Sequence, residues 1–352
     1  MTVKQERSLE NRNDVEAAAS RPAVLSVVLR ALPIIAAFAC VTMLFARALV
    51  PALHGWVVGL SVEIDVGDVL AAAMSQLLAL VLVVTLAGLL LMLLRVRTPT
   101  VLRIAGVFLG VLSAFALFTT IGVARLPSLV HVVLAATACL AAMIFGADAT
   151  RTGGLLGLVP ATVGLASVLR TVGAYKAERA LAERRDLTTM NEVFHSGQML
   201  ATAALGFLVV AVCVTLVGAF QIDRKRTGIG FAAALLLSVV TAWKVTTPVD
   251  DLEPAWGVLL RRFGQQLLTR PPALVDPLVP ALLAVLLPAV ALLAVSVYAR
   301  KSSPAVAGAL GLSLLAGASA EVPLLALGLI VGSIALSLDR RDPNGVLAAM
   351  TH

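Results

Sequence analysis

Of the 352 residues, 60% are hydrophobic and 13% charged, and mean hydropathy is +0.99. Soluble domains run at roughly 45–50% apolar and 25% charged, so a water-soluble globular protein is excluded and spans replace domains as the unit of counting. The 27 Lys and Arg outnumber the 20 Asp and Glu, giving a net charge of +7. Because these bases stand in short clusters between apolar runs, they fit orientation in a bilayer, with lipid as the partner, and speak against nucleic-acid binding.

Residues 1–30 read as a disordered cytoplasmic tail, being polar and of mixed charge up to Arg21. The apolar run from Ala31 follows Arg30, lacks a small-residue cleavage site and is long enough to cross, so it reads as a retained first helix. At about 17–25 apolar residues per crossing, ten spans fall near 31–53, 69–94, 104–124, 127–147, 153–173, 198–220, 228–246, 276–298, 304–320 and 322–338. The fold class is all-α, a single polytopic transmembrane bundle over 31–338 followed by a second cytoplasmic tail, 339–352. Glu321-Val322-Pro323 forces a tight turn between two short helices, so nine spans, or a re-entrant pair over 304–338, is the alternative.

An even count puts both termini on one side, and basic residues choose it. Arg95, Arg97, Arg103, Arg151, Arg224, Lys225, Arg226, Arg300, Lys301, Arg340 and Arg341 share one set of connections, which is read as cytoplasmic in a cell (inner) membrane. The opposite set includes a first loop with no Lys or Arg, and Trp56, Trp243 and Trp256 all fall on that outer side, where such rings anchor.

Within the first loop, Leu60, Val62, Ile64 and Val66 alternate with Ser61, Glu63 and Asp65, the period of a strand with one apolar face and an acidic outer lip. In the connection at 174–197, Thr189 and Glu192 have capping-box spacing, which predicts a helix start leading into the sixth span. Asp250 and Glu253 repeat that spacing, and Leu252, Trp256, Leu259, Leu260, Phe263 and Leu267 recur every three or four residues. This pattern predicts a short helix near 250–269 lying in the outer headgroup layer as a collar around the bundle.

Ionisable groups inside a membrane mark function by default. Arg47, His131, Arg170, Lys244 and Glu321 all fall within about two turns of a predicted outer end, where long side chains snorkel to the interface. None of the predicted spans has a carboxylate near its middle, which weighs against a proton-coupled carrier. His131 is the best titratable candidate because its ordinary pKa lies near neutrality. Gly106 and Gly110, Gly153 and Gly157, Ser313 and Gly317, and Gly328 and Gly332 have small-xxx-small spacing, which serves close helix approach within the chain or to further copies or partner subunits. Pro33, Pro160, Pro280, Pro288 and Pro323 interrupt or begin spans.

Cys40, Cys139 and Cys213 all lie in apolar runs, without metal or disulfide spacing. There is no HExxH, no CxxC, no Gly-rich phosphate loop and no spaced Ser, His and acid set, so neither enzyme activity nor a cofactor is expected.

Gly154-Leu155-Leu156-Gly157 opening the fifth span, with Leu200-Ala201-Thr202-Ala203-Ala204-Leu205-Gly206 in the sixth, resembles the last two membrane helices of proton-channel subunits from flagellar stators and the Tol and Ton systems. The likeness covers residues 153–226 and implies a proton path with Thr202 as its matched hydroxyl. The threonine that commonly follows GLLG in that family is here Leu158, with Thr162 a turn later, and the family's large cytoplasmic helical region has no counterpart. The leading expectation is a permease or channel-like protein for a small, weakly charged or apolar solute. A structural or accessory subunit of a membrane complex is the alternative, and a proton-channel subunit the third reading. The candidate functional residues are His131, Thr202, Glu321, Arg47 and Lys244.

Overall fold

The computed structural model describes residues 66–93, 99–119, 128–151, 155–182, 187–246, 274–301, 304–319 and 322–341. The first span, the alternating loop up to Asp65 and the collar at 250–269 lie outside these residues. So do Arg47 and Glu321.

The described residues form an all-helical bundle without strands. Its helices are α1 (Val66–Leu93), α2 (Thr100–Thr119), α3 (Ser128–Arg151), α4 (Leu158–Ala182, after a 3-10 turn at Leu155–Gly157) and α5 (Leu187–Ile222). They are followed by α6 (Arg224–Thr246), α7 (Leu278–Lys301), α8 (Pro304–Ala318) and α9 (Val322–Arg341). Six of the described helices, α2 to α7, are long and apolar enough to cross a membrane, which makes this a membrane protein. Pro160, Pro280, Pro304 and Pro323 occupy first turns, where the missing N–H costs nothing. Among the described residues only Pro288 stands inside a helix, and α7 continues through it.

Antiparallel neighbours meet at small residues. A Cβ on Gly164 of α4 would lie 3.0 Å from the Cα of Cys139 on α3, and one on Gly173 of α4 would lie 3.1 Å from the Gly197 carbonyl of α5. Gly106 of α2 faces Leu93 of α1 and Ile144 of α3, while Leu156, Gly218 and Tyr298 converge from the fourth, fifth and seventh helical segments. These contacts gather the α1–α2, α3–α4, α5–α6 and α7–α8 connections at one end of the bundle. That end carries Arg103, Arg151, Arg224, Lys225, Arg226, Arg300 and Lys301, and is called the basic end below. Asp223 holds the α5–α6 corner there, accepting the Arg226 amide at 3.1 Å. The opposite end has mixed charge, and Trp243 is exposed near it.

Two helices depart from the expected lengths. The fourth span of the described set is expected to stop at 173, yet α4 runs on to Ala182; the fifth, expected from 198 with a helix start at Thr189–Glu192 leading into it, is one helix from Leu187. With 36 residues, α5 measures about 54 Å, against about 30 Å for a bilayer's hydrocarbon layer. At the mixed-charge end α4 and α5 therefore overrun the apolar layer as helix, and for α4 this extension is unexpected. The start of α5 at Leu187 lies two residues ahead of the Thr189–Glu192 capping pattern.

The 15-residue α8 and its partner α9 lie in the middle. α9 packs against α1, α3, α4 and α8, while α8 packs against α4, α5, α7 and α9. Every residue from Leu324 to Ser337 is buried, and Val306 to Ser319 is buried apart from the half-buried Gly308 and Leu315. A helix apolar on all sides is stable only where all sides are covered by protein or lipid, and here protein covers both. The two axes come close because α9 offers Gly328 and Gly332: a Cβ at Gly332 would sit 2.9 Å from the Ala309 carbonyl and 2.9 Å from the Ser313 hydroxyl. The small-residue faces of Gly106, Gly110, Gly317, Gly328 and Gly332 are thus filled by side chains of this same chain. Farther out, Ser113 of α2 and Thr137 of α3 share a buried hydrogen bond of 2.7 Å, which satisfies two hydroxyls away from water.

Candidate functional site

α8 has 15 residues and is about 22 Å long, too short to cross about 30 Å of hydrocarbon unaided. It therefore ends inside the bundle, and its final carbonyls lack helical partners in a place where water does not satisfy them. Two devices serve that end. The chain tightens, with the Ser319 amide donating to the Ala316 carbonyl at 3.1 Å. In addition Arg170 of α4 donates from Nη2 to the Ser319 carbonyl. A cation at a helix C-terminus also opposes the negative end of the helix dipole.

Arg170 is half-buried, and from it to the end of α4 at Ala182 is about 18 Å along the axis. It stands about one turn deeper than the Gly173–Gly197 contact. Beneath it lies a cavity of about 10 Å³, room for roughly one water, between α4, α5, α8 and α9. Ser167, Ala204, Leu208, Gly317 and Leu325 are among its walls. The Ser167 hydroxyl is already committed to the Gly164 carbonyl of its own helix at 2.8 Å, so Arg170 supplies the cavity's free polarity.

The residues singled out from the sequence do not assemble here. His131 is half-buried in the first turns of α3, at the mixed-charge end and within electrostatic reach of Glu178 on the overrunning part of α4. Lys244 lies in the last turn of α6, where a cation suits the helix dipole. Thr202 of α5 is half-buried, donating to the Gln198 carbonyl at 2.9 Å and accepting the Leu274 amide at 2.7 Å. Its hydroxyl ties α5 to the segment entering α7. Thr162 donates to the Leu158 carbonyl at 2.8 Å, within its own helix.

From the sequence Arg170 reads as a snorkelling side chain, because its span is expected to end at 173. The usable signal was the sequence beyond it, Tyr175-Lys176-Ala177-Glu178-Arg179-Ala180-Leu181-Ala182, which is composed mostly of good helix formers. Extending the helix through that stretch places Arg170 about three turns inside α4, with helix on both sides of it. Among the described residues no group of three or more His, Cys, Asp or Glu could hold a metal ion. Comparison with family models, curated proteins and solved structures gives no match. The likeness of residues 153–226 to proton-channel subunits gains no support from them.

Proposed function

We propose that this protein is a multi-pass permease for a small solute, handled where α8 ends and α9 begins. The observation that carries this reading is a helix too short to cross, ending deep in the bundle and enclosed by α4, α5, α7 and α9. Irregular backbone at membrane depth is tolerated where protein buries it or a cavity meets it, and many carriers bind their solutes at the ends of such broken helices. Without a carboxylate near the middle of a described helix, and with Thr202 held by two hydrogen bonds, proton coupling is not part of the proposal.

The test is flux of a panel of small solutes into proteoliposomes. At least one solute is expected to move, and to keep moving when the pH gradient is collapsed, with Thr202→Val having a modest effect. The close packing of α8 and α9 favours the second reading, an accessory subunit without transport or catalytic activity. Absence of flux across the panel, together with a second membrane protein co-purifying at fixed stoichiometry, would decide for it.

The basic end is placed in the cytoplasm of a cell (inner) membrane, with both termini there, because Lys and Arg concentrate at it. In a variant with Cys40, Cys139 and Cys213 replaced by Ala, a cysteine at exposed position 195 is expected to react with an impermeant thiol reagent in intact cells. One at exposed position 225 should react only after permeabilisation. The reverse pattern would invert the threading.

A further inference from the structure

Arg170 can donate five hydrogen bonds, and among the described residues its one acceptor is the Ser319 carbonyl. No carboxylate among the described residues forms an ion pair with it; the pair between Arg226 and Asp223 is at the opposite end of the bundle. The end of a helix dipole amounts to about half a charge, so α8 alone cannot balance a guanidinium. A charge taken out of water without a partner is costly, and the cost grows with apolar surroundings. Those surroundings are apolar here: Val163, Ala204, Leu205 and Leu208 flank the guanidinium's cavity. Leu325, in the early turns of α9, also lines the cavity, bringing the positive end of a second helix dipole toward the same point.

We propose that Arg170 and this cavity bind a small monovalent anion, a halide or a short carboxylate, and that the solute of the permease reading, on which this inference rests, belongs to that class. The guanidinium provides the counter-charge and donors in a planar fork suited to a carboxylate. The walls select for size: the space suits a water-sized ion such as a halide, and a short carboxylate enters only with movement of α8 against α4 and α5. The sequence expectation of a weakly charged or apolar solute gives way to an anionic one because Arg170 meets the end of α8 and lines a cavity between four helices. A free anion is favoured over a lipid phosphate, since four helices of the protein surround the cavity.

The experiment is thermal unfolding of the full chain in nanodiscs of neutral lipid, with chloride or acetate titrated against gluconate at constant ionic strength. The native protein is expected to show a saturable rise in unfolding temperature with chloride or acetate. Arg170→Gln should lose the response. Arg170→Lys, which keeps the charge and the fold, should weaken apparent affinity by about tenfold, and Arg226→Gln at the basic end should leave it unchanged. If Arg170→Gln does not fold, the comparison of Arg170→Lys with Arg226→Gln decides alone.

Equal responses in those two variants would overturn the site. So would stabilisation by anionic lipid with none from chloride or acetate, as would a native protein that is inert while Glu321→Gln responds, because the acid at 321 would then be the resident counter-charge. A saturable anion response without flux in proteoliposomes leaves this site standing and removes the permease. Flux of an uncharged solute with no anion response does the opposite.

Discussion

Replacing Gly332 by Leu is expected to abolish recovery of monodisperse, folded protein. The reason is geometric: the position faces the Ala309 carbonyl and the Ser313 hydroxyl, both 2.9 Å from where a Cβ would be, and the Leu312 Cβ at 3.6 Å. Two of these three atoms belong to α8's backbone or the root of a side chain and cannot swing away. Overpacking a well-filled core costs about 1–3 kcal/mol per site, and a backbone collision lies at or beyond the top of that range. The control is Gly206→Leu in α5, an exposed position where an added Cβ meets nothing within 4 Å and where leaving glycine improves helix propensity. Chaotrope unfolding in detergent should separate the two substitutions by several kcal/mol in stability. Equal tolerance would mean that α8 and α9 do not cross at Gly332.

Gly218→Ala is expected to destabilise by about 1–3 kcal/mol, and Tyr298→Phe in the same chain to restore part of the loss. A Cβ at Gly218 would run into the Tyr298 hydroxyl and approach Leu156 Cδ2 at 3.0 Å. Tyr298 is 1% exposed, so its ring has little room to retreat. Removing only the hydroxyl oxygen takes away the nearest colliding atom and leaves the ring's packing in place. The two substitutions therefore should not add, as expected for residues in contact. Additive losses in the double variant would show that Gly218 and Tyr298 do not touch.

Span positions were legible where apolar length and helix length coincide. The expected 69–94 and 276–298 are observed as Val66–Leu93 and Leu278–Lys301, because connections end these runs close to where their apolar character ends. The overrun of α4 and α5 was not legible by the same rule: hydropathy ends near Lys176, but Ala, Glu, Arg and Leu continue a helix into water without difficulty. Arg170 was hidden because nothing in its own span shows that α8 ends beside it. The central position of α8 and α9 was hidden for a different reason. Periodicity reports the contrast between a wet face and a dry one, and a helix surrounded by lipid and one surrounded by other helices are apolar all round alike. Gly328 and Gly332 signalled a close crossing without naming the helix on the other side.

Ribosomes deliver a chain from its N-terminal side, and earlier segments begin to associate before later ones exist. In this protein α1 to α7 precede, in that order of delivery, the two helices that occupy the middle. The helices that flank α8 and α9, namely α1, α3, α4, α5 and α7, are thus laid down before the two they enclose. Until Pro304 to Arg341 have entered the bilayer, the Leu and Ala side chains that later grip α8 and α9 face lipid or one another. Assembly of the native bundle is consequently a late, concerted closure around the newest segment, and a chain stopped at the end of α7 would retain its peripheral helices but not the arrangement they have here.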